Sequence, residues 1–457
     1  MKCLIIAAGK GNRLQSRGEC KPLIPLLGIA LIERVIRTAI EAGADEFFVV
    51  VGHQGEQLSH FLARLADSLA IQITPLVNDD WDQGNGLSVL RAREVLHEPF
   101  LLLMADHLFD PQLVRELTSL ELGDGEIALV VDGNTRNPLI DMEDVTRVKL
   151  EDGVSLQSCE KSNKNNITKI RDIGKGMADF NGFDTGIFLC SPAIFKALEQ
   201  SKDRDGDTSL SGAVRILAAE GRAKAILMDG FWIDVDDPAA FQKAEQALLK
   251  QLGDKPNDGP VARYLNRPLS VRMSQTLVQH DITPNQISLF SFFCSVLAAG
   301  LFALGGYFAL LLGGVLAQFA SIIDGCDGEV ARLKYQSSDV GGWFDAVLDR
   351  YADAFLLFGL TWHLLAVEAN ALILLVGFMA IIGSFMLSYT ADKYDNLMRE
   401  RLQVGGKAGW RMGRDVRVFL IFLGAVTNLV LPVLLLIAVV MNLETLRRVK
   451  MALDGQH

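Results

Sequence analysis

The chain has 457 residues, which is enough for two or three domains, and its net charge is −11. The excess negative charge lies in residues 1–256, which hold 28 Lys and Arg against 39 Asp and Glu, whereas residues 257–457 hold 16 of each. An acidic first half argues against nucleic-acid binding, which depends on basic patches. The six cysteines show no Cys-x-x-Cys spacing, so we expect reduced thiols rather than a disulfide framework.

The chain begins with a short apolar segment followed by a glycine-containing loop. Lys2–Ala8 is typical of a buried parallel strand, and it is too short for a secretory signal peptide. Gly9 and Gly11 follow, and Arg13 adds a positive charge. Glycines after a strand allow backbone N–H groups to face a phosphate. An ordinary strand-to-helix turn is the alternative for this loop taken alone.

Apolar strand patterns alternate with helical patterns through the rest of the first half. This alternation predicts a doubly wound, Rossmann-like α/β sheet. Asp106 follows one of the strands, at the carboxyl edge where such sheets bind ligands. The predicted strands after the first are Glu46–Val51, Ile71–Leu76, Phe100–Met104 and Ile127–Val131.

The glycine loop and the segment Lys21-Pro22-Leu23-Ile24-Pro25 together resemble the signature of the sugar nucleotidyltransferases. The resemblance implies that the loop, with Gly9 and Gly11, holds a nucleoside triphosphate. It also implies that Arg13 and Lys21 are the catalytic cations. Such enzymes join a sugar phosphate to the α-phosphate of the nucleotide and release pyrophosphate, mainly by positioning and charge neutralisation.

The same resemblance extends to a second metal-binding segment, residues 231–238. It implies that Asp106 and Asp234 hold Mg²⁺ or Mn²⁺ between the nucleotide and the sugar phosphate. Asp236 is a competing candidate for the role of Asp234. Capping of a helix that begins at Pro238 is the alternative role for Asp236 and Asp237.

Several shorter fragments resemble the inositol-1-phosphate cytidylyltransferases. They are residues 85–88, 104–107 and 173–175, together with 184–188. The resemblance implies that Lys161 and Lys175 contact the sugar phosphate and that the nucleotide is CTP. A solvated surface lysine is the alternative for Lys161, and no residue selects CTP over UTP on physical grounds.

A polar segment rich in Pro and Gly, residues 253–260, separates the two halves. The predicted boundaries are a nucleotidyltransferase domain at 1–252, a linker and juxtamembrane helix at 253–282, and a membrane domain at 283–457. Apolar residues recur every four positions from Val261 to Leu277, with arginines between them, which indicates an amphipathic helix at a membrane surface. A helix packed within a soluble domain is the alternative.

Three long stretches of the second half are almost free of charge. Residues 287–323 and 418–443 contain no charged residue, and 354–391 contains only Glu368. Each stretch exceeds the roughly 20 residues of one membrane crossing, so each is expected to form a pair of helices. The prediction is an all-α, six-helix transmembrane domain with spans near 286–304, 307–325, 340–362, 369–390, 413–428 and 430–447.

Charge placement favours six spans over five, although the last two are short. With six spans, the basic clusters after the second, fourth and sixth all lie on the side of the N-terminal half, as the positive-inside rule expects. With five, the last cluster would lie on the opposite side. We therefore expect a multi-pass protein of the cell (inner) membrane, with the N-terminal domain and both active sites facing the cytoplasm.

Four aspartates lie in or beside these apolar segments: Asp324, Asp327, Asp345 and Asp349. Charged side chains in membrane-spanning segments are costly and usually functional. At helical spacing the first two share one face of a helix, and the last two share a face of the next. Four oxygen ligands suit one or two hard divalent cations such as Mg²⁺. A pair of solvated helix ends is the alternative.

These aspartates and the residues between them meet every position of the signature of the CDP-alcohol phosphotransferases, which are integral membrane enzymes. The resemblance implies that Asp324, Asp327 and Asp345 bind metal, and that Asp349 binds metal or acts as base on the acceptor hydroxyl. Asp353 lies one turn further and is not part of the signature. The residues expected beside the CDP group are Gly328, Ala331, Arg332 and Gly341.

Three arginines, Arg411, Arg414 and Arg417, lie at the start of the fifth predicted span. Guanidinium groups are suited to an anionic acceptor such as a second phosphorylated alcohol. Ordinary flanking charge is the alternative, and it fits Arg417 least. The pairs at 305–306 and 313–314 are glycines that would permit close helix packing or contacts in an expected homodimer.

The order of the two halves resembles the bifunctional inositol-1-phosphate cytidylyltransferases and di-myo-inositol phosphate phosphate synthases. The resemblance implies synthesis of CDP-inositol from CTP and inositol 1-phosphate, and then transfer of phosphoinositol to a second inositol phosphate with release of CMP. One alternative is a lipid alcohol as the acceptor. Another is a non-catalytic, nucleotide-sensing first half, although the presence of its catalytic residues argues against that. The expected partners are the nucleotide, a polyol phosphate and membrane lipids, and no nucleic acid.

Overall fold

The computed structural model describes residues 1–151, 167–228, 230–253, 258–405 and 413–454. The chain divides into two compact units, Met1–Leu248 and Leu249–His457. The first unit is built around a mixed β-sheet, and the second is helical throughout its described part. Each unit contains one of the two predicted sites.

The sheet of the first unit has nine strands in the order β5-β4-β1-β6-β11-β8-β12-β10-β9. The strands predicted from apolar runs are confirmed as β1, β4, β5, β6 and β8. Two small sheets, β2–β3 and β7–β13, complete the unit. The bounds are β1 Lys2–Ala7, β2 Pro25–Leu26, β3 Ile29–Ala30, β4 Glu46–Val51, β5 Gln72–Val77, β6 Phe100–Met104, β7 His107–Phe109, β8 Ile127–Asp132, β9 Thr146–Leu150, β10 Ile167–Lys175, β11 Gly182–Cys190, β12 Ala223–Met228 and β13 Trp232–Asp234.

The sheet is parallel at one end and largely antiparallel at the other. β5, β4, β1 and β6 are parallel neighbours, whereas β11 pairs antiparallel with β6 and β8. The sequence patterns did not predict the antiparallel strands. In β10 the register shifts between Ile170 and Asp172, so that its buried residues, Ile170 and Ile173, are three positions apart. Such a bulge hides the alternation of two by which a strand is identified.

Helices cover both faces of this sheet, as in a doubly wound arrangement. In β1, Ile5 packs into a core with Val35 of α1, whereas Leu4 packs into a second core with Leu198 of α5. The strand is therefore apolar on both faces, which is why it has no polar alternation. The bounds are α1 Leu31–Glu41, α2 Gly55–Leu69, α3 Asn85–Leu90, α4 Pro111–Thr118, α5 Ala193–Asp205, α6 Leu210–Ala219 and α7 Pro238–Gly253.

The second unit contains four helices that are long and apolar enough to cross a membrane, among the residues described: α9, α10, the first part of α12, and α14. α11 carries several aspartates, and α13 has 13 residues. The six-span count stays a prediction. After a π-helical turn at Ala262–Asn266, the bounds are α8 Arg267–Leu277, α9 Pro284–Ala303, α10 Tyr307–Leu333, α11 Asp339–Val367, α12 Ala371–Gly405, α13 Arg414–Val426 and α14 Val430–Asp454.

Local sequence sets how the helices begin and how closely they pack. α9 begins with a capping box between Thr283 and Gln286, with Pro284 in the first turn. A Cβ on Gly313 would lie 2.7 Å from the Phe302 ring, and one on Gly314 would lie 2.6 Å from Ala425. These two glycines therefore serve packing within the chain, and they provide no argument for a homodimer.

α8 packs against α10 through polar side chains. The buried residues Ser270 and Ser274 donate hydrogen bonds to Glu329, a fully buried carboxylate of α10, at 2.6 and 2.7 Å. Arg267 donates to the same carboxylate at 2.7 Å. The apolar residue Leu269 is 40% exposed. The buried face of α8 is thus partly polar, although Met273 and Leu277 also pack against an apolar cluster.

Replacing Glu329 tests how much its contacts with α8 contribute to the stability of the second unit. Glu329→Ala should lower the free energy of unfolding of the second unit by about 3 kcal/mol, because it leaves buried polar groups without their partner. Thermal unfolding of the full chain in detergent can be followed with a thiol-reactive dye, because Cys326 is fully buried. Cys3, Cys20, Cys159 and Cys190 are replaced by alanine in all variants, so that the dye reports on the second unit alone. Glu444→Ala, which removes a carboxylate paired with Arg447 and Arg448 in α14, is the control. An equal loss in both variants would contradict a special role for Glu329.

Candidate functional site

A cavity of about 520 Å³ in the first unit is lined by residues that follow β1 and β6. This position agrees with the rule that ligands bind at the carboxyl ends of parallel strands. The lining includes five of the residues predicted from the sequence: Gly9, Asp106, Lys175, Asp234 and Asp236. The cavity is therefore the candidate site of the first unit.

Lys21 forms an ion pair with Asp106, which lines this cavity. Its Nζ lies 2.5 Å from Oδ2 of Asp106. Burial lowers the pKa of Lys21, but the charges of Asp106 and Asp234 outweigh it and raise the pKa above its usual value. The backbone of Gly11 is left-handed, with φ +63°, and a Cβ there would lie 2.6 Å from Cβ of Lys21. Only glycine leaves room for the lysine in this position.

Arg13 and Lys175 are joined by a carboxylate that sequence reasoning missed. Asp144 accepts from Arg13 and from Lys175, each at 2.5 Å. Hydrogen bonds from Lys175 and Arg13 lower the pKa of Asp144 well below its usual range. No sequence pattern marks Asp144, because it lies in a loop far from either cation along the chain.

Asp236 and Asp237, the two candidates for capping α7, differ in their contacts. Asp236 pairs with Arg13 at 2.7 Å. Burial and the charge of Asp234 raise the pKa of Asp236 to about 6. The capping role belongs to Asp237, whose Oδ1 accepts from the backbone of Ala239 and Ala240 at 2.7 Å each.

Asp106, His107 and Asp234 form a group whose ligand atoms lie within 4.8 Å of one another. Asp234 Oδ1 is buried and has no hydrogen-bond partner among the described residues. Buried polar atoms are normally partnered, so this one fits a cation ligand. Sequence reasoning included Asp106 and Asp234 but not His107. Burial lowers the pKa of His107, but the charge of Asp234 outweighs it, and the pKa is raised to about 10.

A second group of carboxylates lies in the helical unit. Ligand atoms of Asp324, Asp345 and Asp349 lie within 4.8 Å of one another, on α10 and α11. Oδ1 of Asp345 is buried and, within the described part of the chain, has no hydrogen-bond partner. Three converging oxygens, one of them unpartnered, fit a hard divalent cation. The spacing of the motif thus brings together three of the four predicted metal ligands.

Asp327 lies outside this group and is held by α9. Ser288 Oγ donates to Asp327 at 2.5 Å, and Ser291 Oγ donates to Asp324 at 3.1 Å. Sequence reasoning missed both serines. Their signal is a polar residue every three positions in an otherwise apolar helix, which places them on one face.

The carboxylates divide between two small cavities. One, of about 170 Å³, is lined by Asp327 and Asp345 together with the four residues predicted to lie beside CDP, which are Gly328, Ala331, Arg332 and Gly341. The other, of about 180 Å³, is lined by Asp324, Asp349 and Arg414. The helical unit thus offers two separate spaces beside these carboxylates.

Arg414 lies among the aspartates. Its Nη1 is 2.5 Å from Asp324 and 2.8 Å from Asp349. Asp353 binds Arg414 at 3.4 Å and Arg417 at 2.6 Å, so it anchors both arginines. Two predicted site residues, Lys161 and Arg411, lie outside the described residues.

Two stretches of the chain match different protein families. Residues 3–220 match the family of MobA-like NTP transferase domains, and residues 281–445 match the CDP-alcohol phosphatidyltransferases. A solved structure, the inositol-1-phosphate CTP transferase from T. maritima, is 23% identical with a TM-score of 0.46 and covers 54% of this chain and 93% of its own.

Two relatives are similar over nearly the whole chain. The bifunctional IPC transferase and DIPP synthase of Rubrobacter xylanophilus is 36% identical and covers 97% of this chain and 94% of its own length. The protein of the same name from Archaeoglobus fulgidus is 32% identical and covers 93% of this chain and 78% of its own length. The resemblance found in the sequence is confirmed, and the chain belongs to the family of bifunctional IPC transferases and DIPP synthases.

Proposed function

We propose that the chain catalyses two consecutive reactions. The first unit joins CTP and inositol 1-phosphate to give CDP-inositol and pyrophosphate. The second unit transfers phosphoinositol from CDP-inositol to a second inositol phosphate and releases CMP. The observation that carries the proposal is that each unit has its own group of carboxylates beside a cavity lined by motif residues. The names of relatives that match over nearly the whole chain support the two activities.

In the first reaction, a phosphate oxygen of inositol 1-phosphate attacks the α-phosphorus of CTP, and the bond to pyrophosphate breaks. Arg13 and Lys21 neutralise the phosphate charge, and Gly9 and Gly11 let the nucleotide approach the backbone. Lys175, with Lys161, binds the sugar phosphate. Asp144 positions two of these cations, since it contacts both Arg13 and Lys175.

In the second reaction, the acceptor hydroxyl attacks the phosphorus that carries inositol, and the bond to the CMP oxygen breaks. Asp349 accepts the proton of the hydroxyl. Gly328, Ala331, Arg332 and Gly341 surround the CDP group in the cavity of about 170 Å³. Arg414, with Arg411, binds the phosphate of the acceptor in the cavity beside Asp324 and Asp349.

Divalent cations complete both sites in this proposal. Asp106 and Asp234 would hold Mg²⁺ or Mn²⁺ in the first unit, and Asp324, Asp327, Asp345 and Asp349 would hold it in the second. When bound, the cation lowers the repulsion between the phosphates and the attacking oxygen. The unpartnered oxygens of Asp234 and Asp345 support these assignments.

The proposed location is the cell membrane, crossed six times, with domains at 1–252, 253–282 and 283–457. The charge-poor helices and the basic clusters of the sequence support a cytoplasmic position for both sites. The exposed apolar residues Leu265 and Leu269 support a position of the juxtamembrane helix in the membrane surface. A homodimer stays a prediction.

A lipid alcohol is the second candidate acceptor. One observation favours it: a cavity of about 410 Å³ is lined by Trp343, Ala346, Val347, Tyr351 and Phe385 together with Arg350. Arg350 lies 4.0 Å from Asp349, the proposed base. Partitioning of the labelled product between water and organic solvent distinguishes the two acceptors, because a phosphodiester of two inositols stays in water.

Gly11→Ala tests the contact of the loop with Lys21. The variant should release pyrophosphate from CTP and inositol 1-phosphate at least about 100-fold more slowly, because its Cβ displaces the lysine. Gly206→Ala is a matched control, since Gly206 has φ +66° and open space around it. Both variants should lose about 1–2 kcal/mol of stability from the left-handed backbone, but the control should keep its activity. Equal activities would contradict the role of Lys21.

Asp345→Asn tests the metal site of the second unit. In equilibrium dialysis of Mn²⁺ with the full chain in detergent, the binding component of the second unit should weaken at least tenfold, which is about 1.4 kcal/mol. Asp339→Asn, in the first turn of the same helix, is the control and should bind as the unaltered chain does. Unchanged binding by Asp345→Asn would place the metal elsewhere.

Asp349→Asn tests the separation of the two reactions. With CTP, Mg²⁺ and inositol 1-phosphate, phosphorus NMR should show CDP-inositol accumulating while CMP release slows at least about 100-fold, because the base is missing. Pyrophosphate release should be unchanged, which serves as the internal control. Phosphodiester formation at the usual rate would show that another group is the base. Absence of pyrophosphate release from the unaltered chain would favour a nucleotide-sensing first unit.

A further inference from the structure

His107 lies directly opposite one of the proposed metal ligands. It begins β7, which pairs antiparallel with β13, and the register places His107 against Asp234. Asp106 precedes it in the chain. The imidazole therefore sits between the two carboxylates that are proposed to hold the cation of the first unit.

The hydrogen bond of the ring determines what it presents to these carboxylates. Nδ1 lies 2.7 Å from the carbonyl oxygen of Thr185. A carbonyl oxygen only accepts, so Nδ1 carries a proton and, in the neutral ring, Nε2 presents a lone pair. Nε2 lies 3.5 Å from Asp234 Oδ2 and 3.9 Å from Asp106 Oδ1. Without a cation, the raised pKa of His107 keeps this nitrogen protonated and paired with the carboxylates. A divalent cation that replaced this proton would meet three ligand atoms, one from each of His107, Asp106 and Asp234.

The surroundings of the ring hold it in this orientation. Gly186 is left-handed, with φ +74°, and a Cβ there would lie 2.4 Å from Nδ1 of His107. The ring of Trp232 lies on another side, with the centroids 6.0 Å apart. Histidines that bind metal usually donate their second N–H to a backbone carbonyl or a carboxylate, as His107 does to Thr185.

We propose that His107 is the third protein ligand, through Nε2, of the divalent cation held by Asp106 and Asp234. The inference rests on the proposed function in assuming that a cation binds there. A nitrogen ligand shifts the preference of the first site toward Mn²⁺ and other transition metals. The group in the second unit, Asp324, Asp345 and Asp349, offers oxygen ligands only, so the two sites should differ in metal preference.

Pulsed electron paramagnetic resonance of bound Mn²⁺ tests the ligand directly. The full chain without a histidine tag is loaded with Mn²⁺ alone, in the Asp345→Asn background so that the oxygen-only site is weakened. The expected result is modulation by a directly bound ¹⁴N nucleus, replaced by a ¹⁵N pattern when histidine is isotopically labelled. This isotope comparison needs no change at His107. Bound Mn²⁺ without nitrogen coupling would overturn the proposal and favour an imidazolium that only pairs with the carboxylates.

Two variants test whether the nitrogen coupling comes from His107. His107→Gln should abolish the nitrogen coupling and weaken Mn²⁺ binding at least about tenfold, whereas His60→Gln, an exposed histidine of α2, should keep both. A coupling that survives His107→Gln would also overturn the proposal. The test is separate from the proposed function, because coupling without pyrophosphate release would refute only the function. Pyrophosphate release without coupling would refute only the ligand.

Discussion

The compensation of carboxylate charge within a bundle of apolar helices is the constraint on which the second unit depends. Asp324, Asp345 and Asp349 converge between α10 and α11, and such a group is unfavourable unless positive charge or hydrogen-bond donors face it. Ser291 of α9 and Arg414 of α13 supply part of this compensation. The unpartnered oxygen of Asp345 is what remains for a cation. The arrangement of four helices around these side chains follows from that requirement.

In the first unit, carboxylate charge is also compensated, but the site is built on a β-sheet. Its carboxylates lie near the ends of strands and in the loop that holds Asp144, and they are balanced by Lys21, Arg13 and Lys175. Both units therefore place fixed positive charge beside acidic groups, which suits reactions in which phosphates must be brought together and their charge neutralised. In the proposed function, the compound made by the first reaction is the donor that the second requires, which would account for two such sites in one chain.

The sequence predicted those features of the fold and the sites that depend on residues close together along the chain. From helical periodicity, the motif spacing predicted that Asp324, Asp327, Asp345 and Asp349 converge. The structure brings three of them together, whereas Asp327 lies outside the group and pairs with Ser288. Long-range partners left no such pattern. Asp144 lies 131 positions from Arg13 along the chain, and only the folded loop brings its carboxylate to the arginine. The bulge in β10 obscured one strand, and the buried polar stripe of α8 emerged only from its packing on Glu329.

The central claim is that the two sites act in sequence through CDP-inositol. The most direct measurement follows radioactive phosphorus supplied in the α-position of CTP, with unlabelled inositol 1-phosphate and the full chain in detergent. In the proposed sequence, this phosphorus stays with cytidine, so the account predicts that all of the label leaves as CMP and none enters the phosphodiester. Label in the phosphodiester would contradict the account, because the bridging phosphorus would then come from the nucleotide and not from inositol phosphate.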